Sequence, residues 1–184
     1  RVPPLLLARL AASYGRPLAG VASTLLGFSD GTFGPTEAAA ACGLLEQLAK
    51  EPDASTESDP IARWIQTALN GRRPPPGFGI PLDRTDNGGE YLANLVERAR
   101  HEGRHWIVYL RLRELSLEAG RPPANMNLAL AALCLDLGFD ALGTETFLSY
   151  VGMQNMLANA VEAARQQSPI YKQLPTEFVD YQGP

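Results

Sequence analysis

Apolar residues return every three or four positions along almost the whole chain, and no run of β-branched residues alternates with polar ones over the length of a strand. The spacing predicts an all-α protein. Short helices are expected over Pro3 to Tyr14 and Pro17 to Leu26, stopped by Gly15 and Gly27. In "GPTEAAAACGLLEQLAKEP", Pro35 and Glu37 come early, Lys50 late and Pro52 just beyond, the charge and proline order of a helix with two defined ends. "SDPIARWIQTALNG" reads as a short amphipathic helix with Ser58 or Asp59 as its cap, Pro60 in the first turn and Gly71 past the end. Two stronger amphipathic helices, "GGEYLANLVERARHEG" and "RHWIVYLRLRELSLEAG", meet at Gly103. "PPANMNLALAALCLDLG" is apolar on nearly every face after its first turn, which predicts a buried central helix closed by Gly138. A last helix runs through "GTETFLSYVGMQNMLANAVEAARQQ", with Met153 and Met156 expected in core or interface, and an irregular tail follows.

Two stretches interrupt this pattern. "EPDASTESDP" is polar enough to be a linker or loop. "RRPPPGFGIPLDRTDNGGE", from Arg72 to Glu90, is dense in proline and glycine between two helical segments. Its prolines stiffen the approach, and Gly77 and Gly79 bracket Phe78 so that backbone can come close to another group. Ile80 stands apolar at its centre. No internal period of a solenoid is found.

Composition narrows the partners. With 184 residues, 45% of them hydrophobic, the chain can bury one sizeable core with room for a second small lobe. A formal charge of -4 and scattered basic residues give no footprint for nucleic acid or an anionic membrane. Cys42 and Cys134 lie in alanine- and leucine-rich patterns, the setting of buried thiols in a reducing compartment. No window reaches the ~18 apolar residues of a membrane span and no secretory leader is visible, so a soluble, cytoplasmic protein is expected. A chain that opens on Arg1 rather than methionine reads as part of something longer.

Candidate chemistry is sparse. His101 and His105 lie four apart, a spacing that on a continuous helix could share a metal, but Gly103 breaks the helix between them. They are expected on a solvated face, with no metal site. No serine or cysteine sits in a nucleophile elbow, and the glycines of "PGFG" and "DNGG" follow no strand and so match neither a Walker loop nor a dinucleotide fingerprint.

The order of short motifs carries the reading further. Pro76-Gly77-Phe78-Gly79-Ile80-Pro81-Leu82, then Asn125-Met126-Asn127 opening an apolar helix, then Asn155-Met156-Leu157-Ala158-Asn159 with Glu162, then Tyr181-Gln182-Gly183-Pro184, resembles the C-terminal part of the citrate synthase and citryl-CoA lyase family. That family reads "PGFGHPLYK..DPR", "N-V-D", "GW.AH..E" and "Y.GP" at these places, and its "GPLHGGA.EAA" answers to "LGFSDGTFGPTEAAAA". The resemblance spans most of the chain. It implies a multi-helical citrate synthase-like fold, with residues 1–52 and 139–184 resembling the large domain and 58–138 a small helical lobe around the PGFG loop.

It also implies a site from which the family's chemistry is missing. The aspartate that takes the α-proton next to a CoA thioester corresponds to Asn127, the loop histidine to Ile80, and the upstream histidine to Thr32 or Phe33. By the same resemblance Gly77, Phe78, Gly79 and Arg84 are the expected CoA-binding residues, with Arg72 and Arg73 near phosphates, and Ile80, Asn125, Asn127 and Asn159 the expected substrate pocket. Asn125 also reads as a helix cap. The implied ligands are an acyl-CoA or a small carboxylic acid, and the implied assembly is a homodimer or a heteromer with an active paralogue.

Three classes of function stay open on this reading. One is a non-catalytic homologue that binds a CoA thioester. Another is an enzyme of altered acyl-CoA carbon-carbon bond chemistry, a lyase or transferase using an acid such as Asp30, Asp83 or Asp86. The third is a structural helical dimer.

Overall fold

A computed structural model describes residues 3–27, 34–50, 59–69, 74–79 and 87–166. Eight helices account for most of the described residues: α1 (Pro3–Ala12), α2 (Pro17–Gly27), α3 (Gly34–Lys50), α4 (Pro60–Ala68), α5 (Asn87–Arg98), α6 (Arg104–Glu118), α7 (Met126–Asp136) and α8 (Ala141–Arg165). Among the described residues there is no strand, and one isolated bridge pairs Phe78 with Ala124. The all-α expectation holds. Left-handed glycines end elements where expected, with φ of 77° at Gly15 and 89° at Gly138, and another, with φ of 62°, follows α6 at Gly120, whereas Gly27 falls inside α2 rather than after it and Gly71 lies outside the described residues.

The chain divides into two compact units, Phe28–Ser149 and Arg1–Gly27 with Tyr150–Pro184. In the first, α7 is the central element. It packs on α3, α5 and α6, and Leu128, Ala129, Ala131, Ala132, Cys134 and Leu135 are buried along it. An all-round apolar helix has no stripe to turn to water, so it is buried by neighbours on every side. Its alanines allow close approach to α3, whose own buried face carries Ala38, Ala41, Leu45 and Leu48. Trp106, Tyr109 and Leu112 of α6 complete this core.

In the second unit α1 and α2 form a helical hairpin against the C-terminal part of α8, with Ala12, Val21, Ala160 and Ala163 buried together. Gly20 is required there, since a Cβ at this position would stand 2.5 Å from the carbonyl oxygen of Ala8 and 2.9 Å from the Ala12 Cβ. Arg9 donates to Glu162 at 2.6 Å and to Gln166 at 3.2 Å. Met156 is buried as expected, while Met153 is exposed. Among the described residues no single helix is long and apolar enough to cross a membrane.

The two histidines differ from expectation. Gly103 does break the helix, serving as the N-cap of α6, but glycine has no side chain with which to cap. The carboxylate of Asp136, at the end of α7, does it instead: it accepts from the N–H groups of His105 at 2.9 Å and Trp106 at 3.0 Å. It also contacts His101 Nε2 at 3.0 Å and His105 Nδ1 at 2.7 Å. Both histidines are therefore half-buried against one carboxylate rather than on a solvated face. A Cβ on Gly103 would lie 1.9 Å from the Asp136 carboxylate, so the missing side chain is what lets the acid in.

Burial pushes the Asp136 carboxyl up, but the His105 N–H, the two imidazoles and the Trp106 N–H outweigh it and hold the group below the usual carboxylate range. A lowered folded pKa contributes stability that is fully present above about pH 4 and is lost as the pH falls through the lowered value. Asp136→Asn is expected to cost about 2–4 kcal/mol at pH 7, because a carboxamide turns an N–H₂ toward donors. In urea unfolding at pH 7 and pH 3 the wild type should lose more stability on acidification than the variant. Equal losses would show that Asp136 does not carry this linkage.

Candidate functional site

The PGFG turn and the start of α7 come together around one buried acid. Gly77 and Gly79 both have positive φ, 86° and 81°, a conformation that side chains rarely adopt. The space is closed as well, since a Cβ on Gly77 would lie 2.8 Å from the Leu128 Cβ. Between them Phe78 is 3% exposed and packs on Trp64 with ring centroids 5.4 Å apart. The phenyl ring is thus a core residue, and Gly77 beside it is buried as well.

That backbone is largely committed. Phe78 N–H donates to Pro75 O at 3.1 Å, Gly79 N–H to Pro123 O at 2.8 Å, and Gly77 O accepts from Asn125 N–H at 2.8 Å. Gly77 N–H donates to the Glu37 Oε1 at 3.0 Å. Every N–H from Gly77 to Gly79 is therefore used inside the protein. Of its carbonyls, those of Gly77 and Gly79 accept from Asn125, and that of Phe78 has no partner among the described residues.

Asn125 fulfils the cap reading and adds to it. Its Oδ1 accepts from Asn127 N–H at 2.9 Å and Leu128 N–H at 3.3 Å, capping α7. Its Nδ2 donates to Gly79 O at 3.0 Å and Glu37 Oε1 at 3.1 Å. Asn127 donates its Nδ2 to Glu37 Oε2. One 7% exposed carboxylate thus gathers Gly77, Asn125 and Asn127, the donors that a buried acid requires.

Glu37 is the residue that sequence reasoning missed. Placed in the first turn of α3, it passes for a charge favourable to the helix dipole. The available signal was its register: Glu37, Ala41, Leu45 and Leu48 are spaced as one face, and that face is buried.

The remaining expected residues divide in two. Ile80, Thr32, Phe33, Arg72, Arg73 and Arg84, with Asp30, Asp83 and Asp86, lie outside the described residues. Asn159 belongs to the other unit, where it accepts from Arg9 at 3.4 Å and donates to Asn155 O at 2.9 Å. Cys42 and Cys134 are buried in the core, and burial pushes both thiols up. Among the described residues no group of three or more His, Cys, Asp or Glu side chains is arranged to hold a metal ion.

No family model matches the chain, and no curated protein matches it. Among solved structures, that of citryl-CoA lyase from Hydrogenobacter thermophilus matches with a TM-score of 0.72 and 23% identity, over 100% of this chain and 70% of that one. The chain has the citrate synthase-like helical fold. At this identity the likeness reaches the fold and stops there. The expected multi-helical architecture is thereby found, with the PGFG turn as an ordered part of its core.

Three glycine and acid substitutions separate the contributions. Gly77→Ala is expected to cost about 2–4 kcal/mol, through the positive φ and the Leu128 contact together. Glu37→Leu, which strands three donors, is expected to cost about 3–5 kcal/mol. Gly43→Ala, inside α3 with nothing within 4 Å of the added Cβ, is expected to stabilise by about 0.5–1 kcal/mol. Urea midpoints of the three variants test the order. A harmless Gly77→Ala would mean that the turn is looser than its geometry.

Proposed function

We propose that this is a citrate synthase or citryl-CoA lyase-like protein that binds a CoA thioester without performing the carbon-carbon bond chemistry of such enzymes. The observation that carries the reading is the state of position 127. The residue there is a neutral amide whose N–H₂ is spent on Glu37, so it neither takes an α-proton nor is free to reorient. Removing a positioned general base costs ~10² to 10⁴ in rate, and removing an oxyanion donor, as isoleucine at position 80 would, about 10² to 10³. Even with non-additive losses, ordinary turnover is not expected.

The surrounding shell supports ligand binding. The Phe78 carbonyl, which no hydrogen bond reaches among the described residues, would suit a ligand edge bearing an amino donor, such as the exocyclic amine of adenine, and the close approach needs glycines on either side of Phe78. On this reading Arg84 would meet CoA phosphates, Asn127 would belong to the acyl end, and the chain would act in the cytoplasm as a homodimer or beside an active paralogue. An enzyme of altered chemistry is less well supported. The carboxylate nearest Asn127 is that of Glu37, and three N–H donors already occupy it.

The test is thermal unfolding with CoA, acetyl-CoA and larger acyl-CoA thioesters. At ligand near 100 Kd, about 2.7 kcal/mol of stabilisation is expected, together with no release or consumption of free CoA thiol. Absence of any shift at millimolar thioester would defeat the proposal, and thiol release that Glu37→Gln abolishes would favour an altered enzyme.

A further inference from the structure

We propose that Glu37 fixes the hydrogen-bond polarity of Asn127, and that the site thereby prefers a thioester whose acyl chain donates a hydrogen bond there over one that accepts it. The inference rests on the thioester-binding reading above and adds to it a specificity-determining residue. A carboxylate only accepts, so the Asn127 amide must turn its Nδ2 to Glu37, as observed, and its Oδ1 away. The carboxylate in turn is pinned. Its Oε1 holds the Gly77 N–H at 3.0 Å and the Asn125 Nδ2 at 3.1 Å, and Asn125 cannot flip because its own Oδ1 caps α7.

Asn127 Oδ1 is then the unspent atom. The residue is half-buried, and among the described residues no hydrogen bond reaches that oxygen. A ligand hydroxyl set against it gains a hydrogen bond. A ligand carbonyl in the same place leaves two acceptors facing each other, each stripped of water without a partner. A short, non-titrating side chain with one fixed end is well suited to telling those two groups apart.

The probes are 3-hydroxybutyryl-CoA, each enantiomer separately, and acetoacetyl-CoA, which differ in O–H against C=O at one carbon. Calorimetric Kd values should favour one hydroxy compound over the keto compound by about ten-fold in the wild-type protein. In Glu37→Gln the amide oxygen stays on the Gly77 N–H and the Asn125 Nδ2, so its Nε2 faces Asn127, the Asn127 amide turns its Oδ1 inward, and the preference for the hydroxy compound should be lost or reversed. Asn127→Leu keeps Gly77 and Asn125 on Glu37 and should also abolish the preference, which covers the case where Glu37→Gln does not fold. Equal affinities in the wild type, or a preference for the keto compound, would overturn the inference while leaving thioester binding intact. A preference that survives Glu37→Gln would overturn the part given to Glu37. Binding of no thioester at all would remove both this inference and the reading beneath it.

Discussion

A carboxylate shut inside a helical core must find its hydrogen-bond donors within the protein, and among the described residues Glu37 finds three on two segments distant from it in sequence. That requirement ties the start of α3 to the PGFG turn and to the start of α7. None of the three would be held as tightly alone. The turn runs left-handed at two glycines, the first turn of α7 needs a cap, and an acid in the first turn of α3 would otherwise stay in water. Asn125 makes the joint rigid by using both ends of its amide, one on the helix and the other on the turn and the acid. Hydrogen-bonded polar clusters of this kind specify a single arrangement where apolar packing allows several.

The other end of α7 repeats the device. An all-apolar helix gains burial from every side but little direction, because sliding or rotating it exposes no polar face. Its register must come from its ends. At the start this is Asn125 with Glu37, and at the finish it is Asp136. An acid in the last helical turn is unfavourable to the dipole of its own helix. Asp136 is tolerated because the positive N-terminus of α6 and two imidazoles lie against it. The cost within one helix is thus offset by the capping of the next.

What could be read in advance follows the range of each interaction. Helix positions, the Asp59 and Asn125 caps and the left-handed glycines at positions 15 and 138 depend on neighbours within four or five residues, and local pattern was enough for them. The cap of α6 was legible only as a break at Gly103, since the carboxylate that completes it comes from Asp136 on another helix. The same distance hid the partners of His101 and His105, whose charged surroundings in sequence suggested water. Glu37 was hidden differently. Its local role near a helix start was adequate by itself, so nothing in its own helix demanded another. Only its place on the Ala41 and Leu45 face set it apart. The resemblance of the PGFG and Asn125-Met126-Asn127 stretches led to the fold, and their contact around Glu37 is the part that only coordinates supply.

On the proposed reading an amide stands at position 127 where such enzymes carry a carboxylate, and the difference reaches beyond the loss of a base. A carboxylate there would stand against the Glu37 carboxylate, and two acids at hydrogen-bonding distance share a proton whose position changes with pH and with the ligand. Such a pair suits proton transfer. An amide against a carboxylate holds no shared proton, and its donor and acceptor ends are assigned once by the acid beside it. The polarity presented by Asn127 is then fixed by its neighbour. On the proposed reading, chemistry and recognition make opposite demands on this one position. A base has to change its state during the reaction, whereas a recognition group works best when it cannot change.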